Sequence, residues 1–314
     1  MREEMEKVCA QVKKVIVGKD DVVSRVLMTV LAGGHILLDD VPGVGKTTLC
    51  LALSRATGLA FRRIQFTPDV LPSDITGFTL YDRESGQFVY RPGIVTQANL
   101  LLGDEINRTS SRTQSALLET MEEKQVTVDG TTYPLKTPFL VIATQNHVGS
   151  AGTQPLPFTQ LDRFMTCLTL GYPDREAQIR LLRERQADNP LDTVEPVIDA
   201  ETVCQLQARV RQVHVSDLIY DYITSLAIAS REHEKLENGI SPRGTLMLSR
   251  MAAASAFADD RDFVTAWDVQ SVFLDTCAHR VLLSRRARQE GTTSAEVLCD
   301  ILHAVPVPDG GAQG

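Results

Sequence analysis

HILLDDVPGVGKTTLCLAL, residues 35–53, reads as strand, glycine loop and helix in immediate succession. The apolar run at its start has the character of a buried strand. DVPGVGKTT, residues 40–48, fits the phosphate-binding loop pattern except at its first position, where Asp40 replaces glycine. Gly43 and Gly45 put no Cβ between the backbone N–H groups and a phosphate. The helix that opens near Gly45 aims its free N–H groups and positive dipole end at the same point. Lys46 would reach the β- and γ-phosphates and the Thr47 hydroxyl would ligate Mg²⁺. Pro42, Val44 and Thr48 complete the set of nucleotide-contacting positions.

Roughly 60 residues downstream, ANLLLGDEIN places Asp104 and Glu105 at the carboxyl end of a second buried strand. Ligands of open parallel sheets sit at that end. Asp104 is expected to hold Mg²⁺ and Glu105 to act as general base on an attacking water. A third apolar strand, FLVIATQN, ends in Gln145-Asn146, an amide pair able to orient that water. Arg163 in QLDRF and Arg243 in SPRG stand beside element ends. Arginine suits charge that develops in phosphoryl transfer.

Further strands are expected at FRRIQF and within QLDRFMTCLTL, hairpins at SGQFVYRPG and around Asp129-Gly130, and a helix over SRTQSALLETMEEK. Strands that are apolar on both faces and alternate with helices mark a parallel sheet covered on both sides. A break is expected at Gly18 within the helical first 32 residues. After Gly171-Tyr172-Pro173 every segment reads as helical, including TAWDVQSVFLDTCAHRVLL as one run. The chain therefore divides near 172 into an α/β domain (1–172) and an all-α domain (173–314), with VPDGGAQG as a frayed tail.

The 314 residues are 43% apolar and 23% charged, the balance of a globular chain, which excludes disordered and fibrous classes. A formal charge of −8 disfavours a broad nucleic-acid grip, so no nucleic acid is expected. The opening MREEMEKV lacks the apolar core of a secretory signal, and no apolar run approaches the roughly 20 residues of a membrane span. The six cysteines are scattered without a C-x-x-C, as in reduced cytoplasmic proteins. The histidines show no metal-ligand spacing, and the SRRAR run at 284–288 reads as a solvated helix end.

In order and spacing, GHILLDDVPGVGKTTL, IQFTPDVLPSDITG, LLLGDEINRTSSRTQSALLETMEEKQVTVDG, FLVIATQN, PLPFTQLDRF, SPRG and DFVTAWDVQ resemble the MoxR branch of the AAA+ ATPases. The likeness spans roughly residues 15–308. It implies a P-loop NTPase αβα core with a five-stranded parallel sheet and a helical lid. By that resemblance Lys46 and Thr47 are the Walker A pair, Asp104 and Glu105 Walker B, Asn146 sensor 1 and Arg243 sensor 2. Arg163 is the arginine finger given to a neighbour's nucleotide. Val17 and Gly18 line the adenine pocket. The resemblance also implies ATP and Mg²⁺ as cofactors and self-association into a ring, usually a hexamer. Residues 67–95 become an insert, and residues 125–135 a hairpin, that face the pore. The function so implied is ATP-driven remodelling of a separate partner, often a von Willebrand A-domain protein, in enzyme maturation. Asn146-His147 and Phe158-Thr159 depart from the usual family text near the subunit interface. A nucleic-acid motor and a nucleotide-gated scaffold with negligible turnover are the competing readings of the same core.

Overall fold

The computed structural model describes residues 2–145, 156–184 and 189–308. Helices α1 (Glu3–Lys13) and α2 (Asp20–Leu31) precede strand β1 (Ile36–Asp39), helix α3 (Lys46–Thr57) and strand β2 (Phe61–Gln65). Then come α4 (Pro72–Thr76), the hairpin β3 (Gly77–Asp82) and β4 (Gln87–Pro92), β5 (Leu100–Asp104) and α5 (Ser111–Glu123). A second hairpin, β6 (Gln125–Val128) and β7 (Thr131–Pro134), leads to β8 (Leu140–Gln145), α6 (Phe158–Leu161), β9 (Thr166–Leu168) and α7 (Arg175–Glu184). The turn between α1 and α2 uses Gly18 at φ +71°, as expected.

Five strands form a parallel sheet in the order β2-β5-β8-β1-β9. Its central strands sort their side chains into two cores. Ile36 and Leu38, Leu100 and Leu102, Leu140 and Ile142 face one apolar cluster, shared with α1, α2, α3 and the C-terminal helices. Leu37, Leu101, Val141 and Ala143 face the other, built with Phe66, Leu117, Leu118 and Phe164. Burial on both faces is the physical reason that these strands read as unbroken apolar runs. Trimming one such side chain, as in Leu37→Ala, costs about 2–5 kcal/mol. Register aligns Asp39 with Gln145 and Gln65 with Asp104, so the polar strand ends meet at one edge.

The β3–β4 hairpin is tied to the β6–β7 hairpin by Tyr90, whose ring stacks on Tyr133 with centroids 3.9 Å apart. The Tyr90 hydroxyl also donates to the Thr76 carbonyl at 2.6 Å. Asp129 and Gly130, at φ +49° and +79°, turn the second hairpin as the Asp-Gly pair predicts.

The C-terminal part contains α8 (Ala200–Val210), α9 (Asp217–Glu232), α10 (Pro242–Ala258), α11 (Ala266–Cys277), α12 (Arg285–Gln289) and α13 (Ser294–Ala304). Several start on side-chain caps legible in the sequence, among them the Thr265/Asp268 and Thr293/Glu296 capping boxes. The helical lid is as expected, but two local readings fail. Strands do not vanish after residue 173, because β10 (Leu236–Asn238) pairs antiparallel with β11 (Leu282–Leu283). The run TAWDVQSVFLDTCAHRVLL is not one helix either, since α11 stops at Cys277. Arg280 explains the stop. Its guanidinium is fully buried and donates to the carbonyls of Asp162, Phe164, Met165 and Thr276, which pulls the chain out of the helix. The apolar residues that follow then pair with β10.

Candidate functional site

The loop between β1 and α3 is a backbone cradle. Gly43 and Gly45 adopt φ +84° and +99°, a region that strains other residues. A Cβ at Gly43 would meet nothing within 4 Å, so the loop faces open space. Lys46 is buried, and its Nζ donates to the Asp40 carbonyl at 2.9 Å. Burial lowers its pKa, opposed by the charges of Asp40, Asp104, Asp39 and Glu105. Asp40, the departure from the loop pattern, is a tie. Its Oδ1 accepts the Val41 N–H at 2.8 Å and its Oδ2 the Gly171 N–H at 2.7 Å. The carboxylate thus fixes the loop to the chain that leaves β9.

The segment that holds Val17 and Gly18 approaches this loop through Ile16. Ile16 Cδ1 is 4.0 Å from where a Gly45 Cβ would stand, and Gly18 abuts Ala177 of α7. The Lys19 ammonium donates to the Tyr172 carbonyl at 2.8 Å. Residues 16–19 therefore bridge the phosphate loop and the start of α7.

Asp104 ends β5, buried beside the loop. Its Oδ2 accepts from Arg63 Nε at 2.7 Å and its Oδ1 from the Thr144 hydroxyl at 3.3 Å. Thr144 accepts the Glu105 N–H at 2.9 Å, so one buried hydroxyl orients both acids. Glu105 stands at φ +56°, and Arg108 donates to its Oε2 at 2.8 Å. Arg63 and Thr144 escaped sequence reading. The only signals are a basic residue in an edge strand and a hydroxyl interrupting an apolar one.

Asn146 and His147 lie outside the described residues, as does the tail from 309. Arg163 and Arg243 sit elsewhere, at the amino-terminal edge of the sheet. Both engage one carboxylate. Arg163 Nε lies 3.3 Å from Glu122 Oε2, and an Arg243 guanidinium N–H donates to Glu122 Oε1. With His35, Lys124 and Arg250 these residues line a cavity of about 270 Å³. From Gly34, which also lines it, through β1 to Asp40 is six residues, up to about 20 Å if extended at 3.3 Å per residue. Neither arginine can reach the phosphate loop of its own chain.

The pair is firmly mounted. Asp162 accepts the Ser241 hydroxyl at 2.9 and 3.1 Å and Arg280 Nε at 3.0 Å. Ser241 also caps α10, the helix that carries Arg243. His35 is fully buried, accepts the Val141 N–H at Nδ1 and bonds the Met121 carbonyl through Nε2, one residue before Glu122. Burial pushes its pKa down to about 4, so it stays neutral.

Comparison with known proteins agrees with this architecture. Residues 35–166 match the ATPase family associated with various cellular activities, and residues 228–301 match the AAA lid domain. Chaperone MoxR1 of Mycobacterium tuberculosis is 36% identical, the match covering 97% of this chain and 82% of that one. The chain belongs to the MoxR family of AAA+ ATPases. This MoxR-family chain is also 45% identical to YeaC of Bacillus subtilis, an uncharacterised protein, over 96% of its own length and 94% of the relative's. The crystal structure of an inferred ATPase from Cytophaga hutchinsonii superposes with a TM-score of 0.90 at 38% identity, covering 98% of this chain and 96% of the other.

The donor set suits the expected cofactors. Thr47 and Asp104 offer hard oxygen ligands, and no cage of three or more His, Cys, Asp or Glu exists among the described residues. Magnesium is held in that way, by one or two protein oxygens together with phosphates. The open glycine cradle over a buried lysine fits a polyphosphate. No described helix is long and apolar enough to cross a membrane.

Proposed function

We propose that this MoxR-family chain is a magnesium-dependent ATPase whose active site is completed between two copies in a ring, usually a hexamer in this family. The observation that carries the reading is the placement of Arg163 and Arg243 beside Gly34, at the end of β1 opposite the phosphate loop, with up to about 20 Å of extended chain between Gly34 and Asp40. Residues suited to transition-state charge, mounted at the far edge, have work to do only on a neighbour's nucleotide. A heterologous interface that closes by rotation supplies that neighbour.

In each half-site the loop 42–48 binds phosphate through its backbone and Lys46, and Val17 and Gly18 flank the base. Thr47 and Asp104 would hold the magnesium ion, which when bound neutralises charge on the phosphate oxygens. Glu105 takes the proton of the attacking water, held in place by Arg108 and by the hydroxyl of Thr144. Asn146 orients that water. Arg163 and Arg243 stabilise the transferring phosphoryl group from the adjacent subunit.

A division of the chain at residue 172 would lie between β9 and α7, next to the Asp40–Gly171 tie. A nucleotide-dependent shift of the loop would pass through that tie to the helical domain. The two hairpins joined by Tyr90 and Tyr133 expose Phe78, Tyr81 and Phe88, an apolar surface for the pore. The related Chaperone MoxR1 supports a chaperone role. By the family resemblance alone, that role is remodelling of a von Willebrand A-domain protein in the cytoplasm during enzyme maturation.

The test is specific ATPase activity against protein concentration for wild type and Arg163→Ala, with particle mass measured in ATP. Activity that rises with assembly and is lost in the variant supports the shared site. Activity independent of both concentration and Arg163 refutes it.

A further inference from the structure

Glu122 stands out in the cavity at the arginine edge. It is the lone carboxylate among the lining side chains, which include four cations, Lys124, Arg163, Arg243 and Arg250. One acid cannot neutralise four bases, so the cavity holds excess positive charge within a chain of net charge −8. The two Glu122 oxygens are divided, one to each arginine. The bond to Arg243 is a hydrogen bond, whereas the approach to Arg163 is not aligned as one. Arg163 Nε–H is buried and makes no hydrogen bond. Arg163 is therefore held near an anion without its directional bonding satisfied.

The surroundings make the cluster rigid on every side except that of Glu122. Asp162, Ser241 and Arg280 lock the turn bearing Arg163 to the cap of the helix bearing Arg243. Glu122 itself is on the last turn of α5, with its side chain 40% exposed, and no described hydrogen bond or ion pair ties it to anything but these arginines. Two guanidinium groups carried on a firmly mounted turn and helix cap, and converging on one adjustable carboxylate, form a site for an oxyanion, temporarily occupied by the chain's own acid.

We infer that Glu122 is a positioning residue that stands in for the neighbour's terminal phosphate while the subunit is unpartnered. It keeps Arg163 and Arg243 converged on one point and gives way when a nucleotide-loaded neighbour docks. The inference rests on the shared-site reading above and adds to it an internal competitor that sets how readily the ring closes. Docking exchanges a Glu122–arginine pair for a phosphate–arginine pair, so removing the Glu122 charge lowers the cost of docking.

Glu122→Gln tests this against Glu123→Gln, an exposed neighbour that serves as the charge-matched control. Specific activity is measured against protein concentration at several salt concentrations, beside Arg163→Ala. Glu122→Gln is expected to reach half-maximal activity at about two- to fivefold lower protein concentration than wild type, the worth of one partly exposed charge. The gain shrinks as salt rises, turnover at saturating protein is retained, and Glu123→Gln behaves as wild type. Loss of turnover in Arg163→Ala with no shift in Glu122→Gln overturns the stand-in role and leaves the shared site standing. Unchanged turnover in Arg163→Ala overturns both. Loss of turnover in a folded, assembled Glu122→Gln also overturns the stand-in role, because Glu122 would then be required in the closed ring.

Discussion

The two edges of the sheet are electrostatic opposites. At the carboxyl edge four acids, Asp39, Asp40, Asp104 and Glu105, outnumber the three cations set among them, Lys46, Arg63 and Arg108. At the amino edge one acid, Glu122, faces Lys124, Arg163, Arg243 and Arg250. The two edges carry opposite excess charge. On the shared-site reading neither makes a complete phosphoryl-transfer site, and the two become complementary when copies stack edge to edge. A chain with one net charge sign can thus present two faces of opposite sign, which the summed charge of −8 conceals.

The largest expected effect breaks the carboxyl edge. Lys46→Ala should weaken ATP binding about 100-fold or more, measured by fluorescent-nucleotide titration of the isolated subunit. Glu105→Gln should bind ATP normally yet turn over about 10²–10⁴-fold more slowly. Arg163→Ala should lose about 10³-fold in turnover with nucleotide affinity of the isolated subunit intact. That contrast separates the edges, since loss of subunit affinity in Arg163→Ala would place Arg163 on its own nucleotide.

Opposite pH sensitivities sharpen the comparison. Lys46 loses its proton at lower pH than an ordinary lysine because it is buried, so ATP affinity should fall early on the alkaline side. Neutral His35 acts at the acid side. Its pKa is about 4 in the fold against about 6.5 unfolded, so the unfolded chain takes up the proton first. The stability due to neutral His35 is complete above about pH 6.5 and falls by about 3 kcal/mol as pH drops toward 4. Urea unfolding across that window should show the slope, reduced in His35→Gln.

A smaller effect is expected far from either edge. Asp268 is fully buried, and burial alone would raise its pKa, but hydrogen bonds from Arg261 and Thr265 outweigh that and lower it. Asp268→Asn should cost about 2–3 kcal/mol of stability, seen as a lower unfolding midpoint, with per-ring turnover unchanged below that midpoint.

The carboxyl edge was legible because its parts are contiguous or strand-terminal. A glycine loop has to follow its strand directly, and acids that end an apolar run announce themselves. The two-sided sheet was legible for the same reason, since burial on both faces leaves the central strands almost wholly apolar, Thr144 in β8 being the exception before the strand end. Asp40 looked like a defect because its partners, the Gly171 and Val41 N–H groups, are backbone and carry no sequence signature. Glu122 was illegible in the run LLETMEEK, residues 117–124, where charged residues resemble any solvated helix face. Only tertiary packing brings it to Arg163 and Arg243, 41 and 121 residues away. Strands β10 and β11 were missed because three- and two-residue strands leave no period to read.

The most direct test of the divided site is to mix Glu105→Gln with Arg163→Ala, each inactive alone. In mixed rings some interfaces join an intact Glu105 to an intact Arg163. Random assembly at equal amounts makes that about one interface in four, so recovery toward roughly a quarter of wild-type activity is expected. Mixed rings of confirmed mass that stay inactive at every ratio would contradict the account.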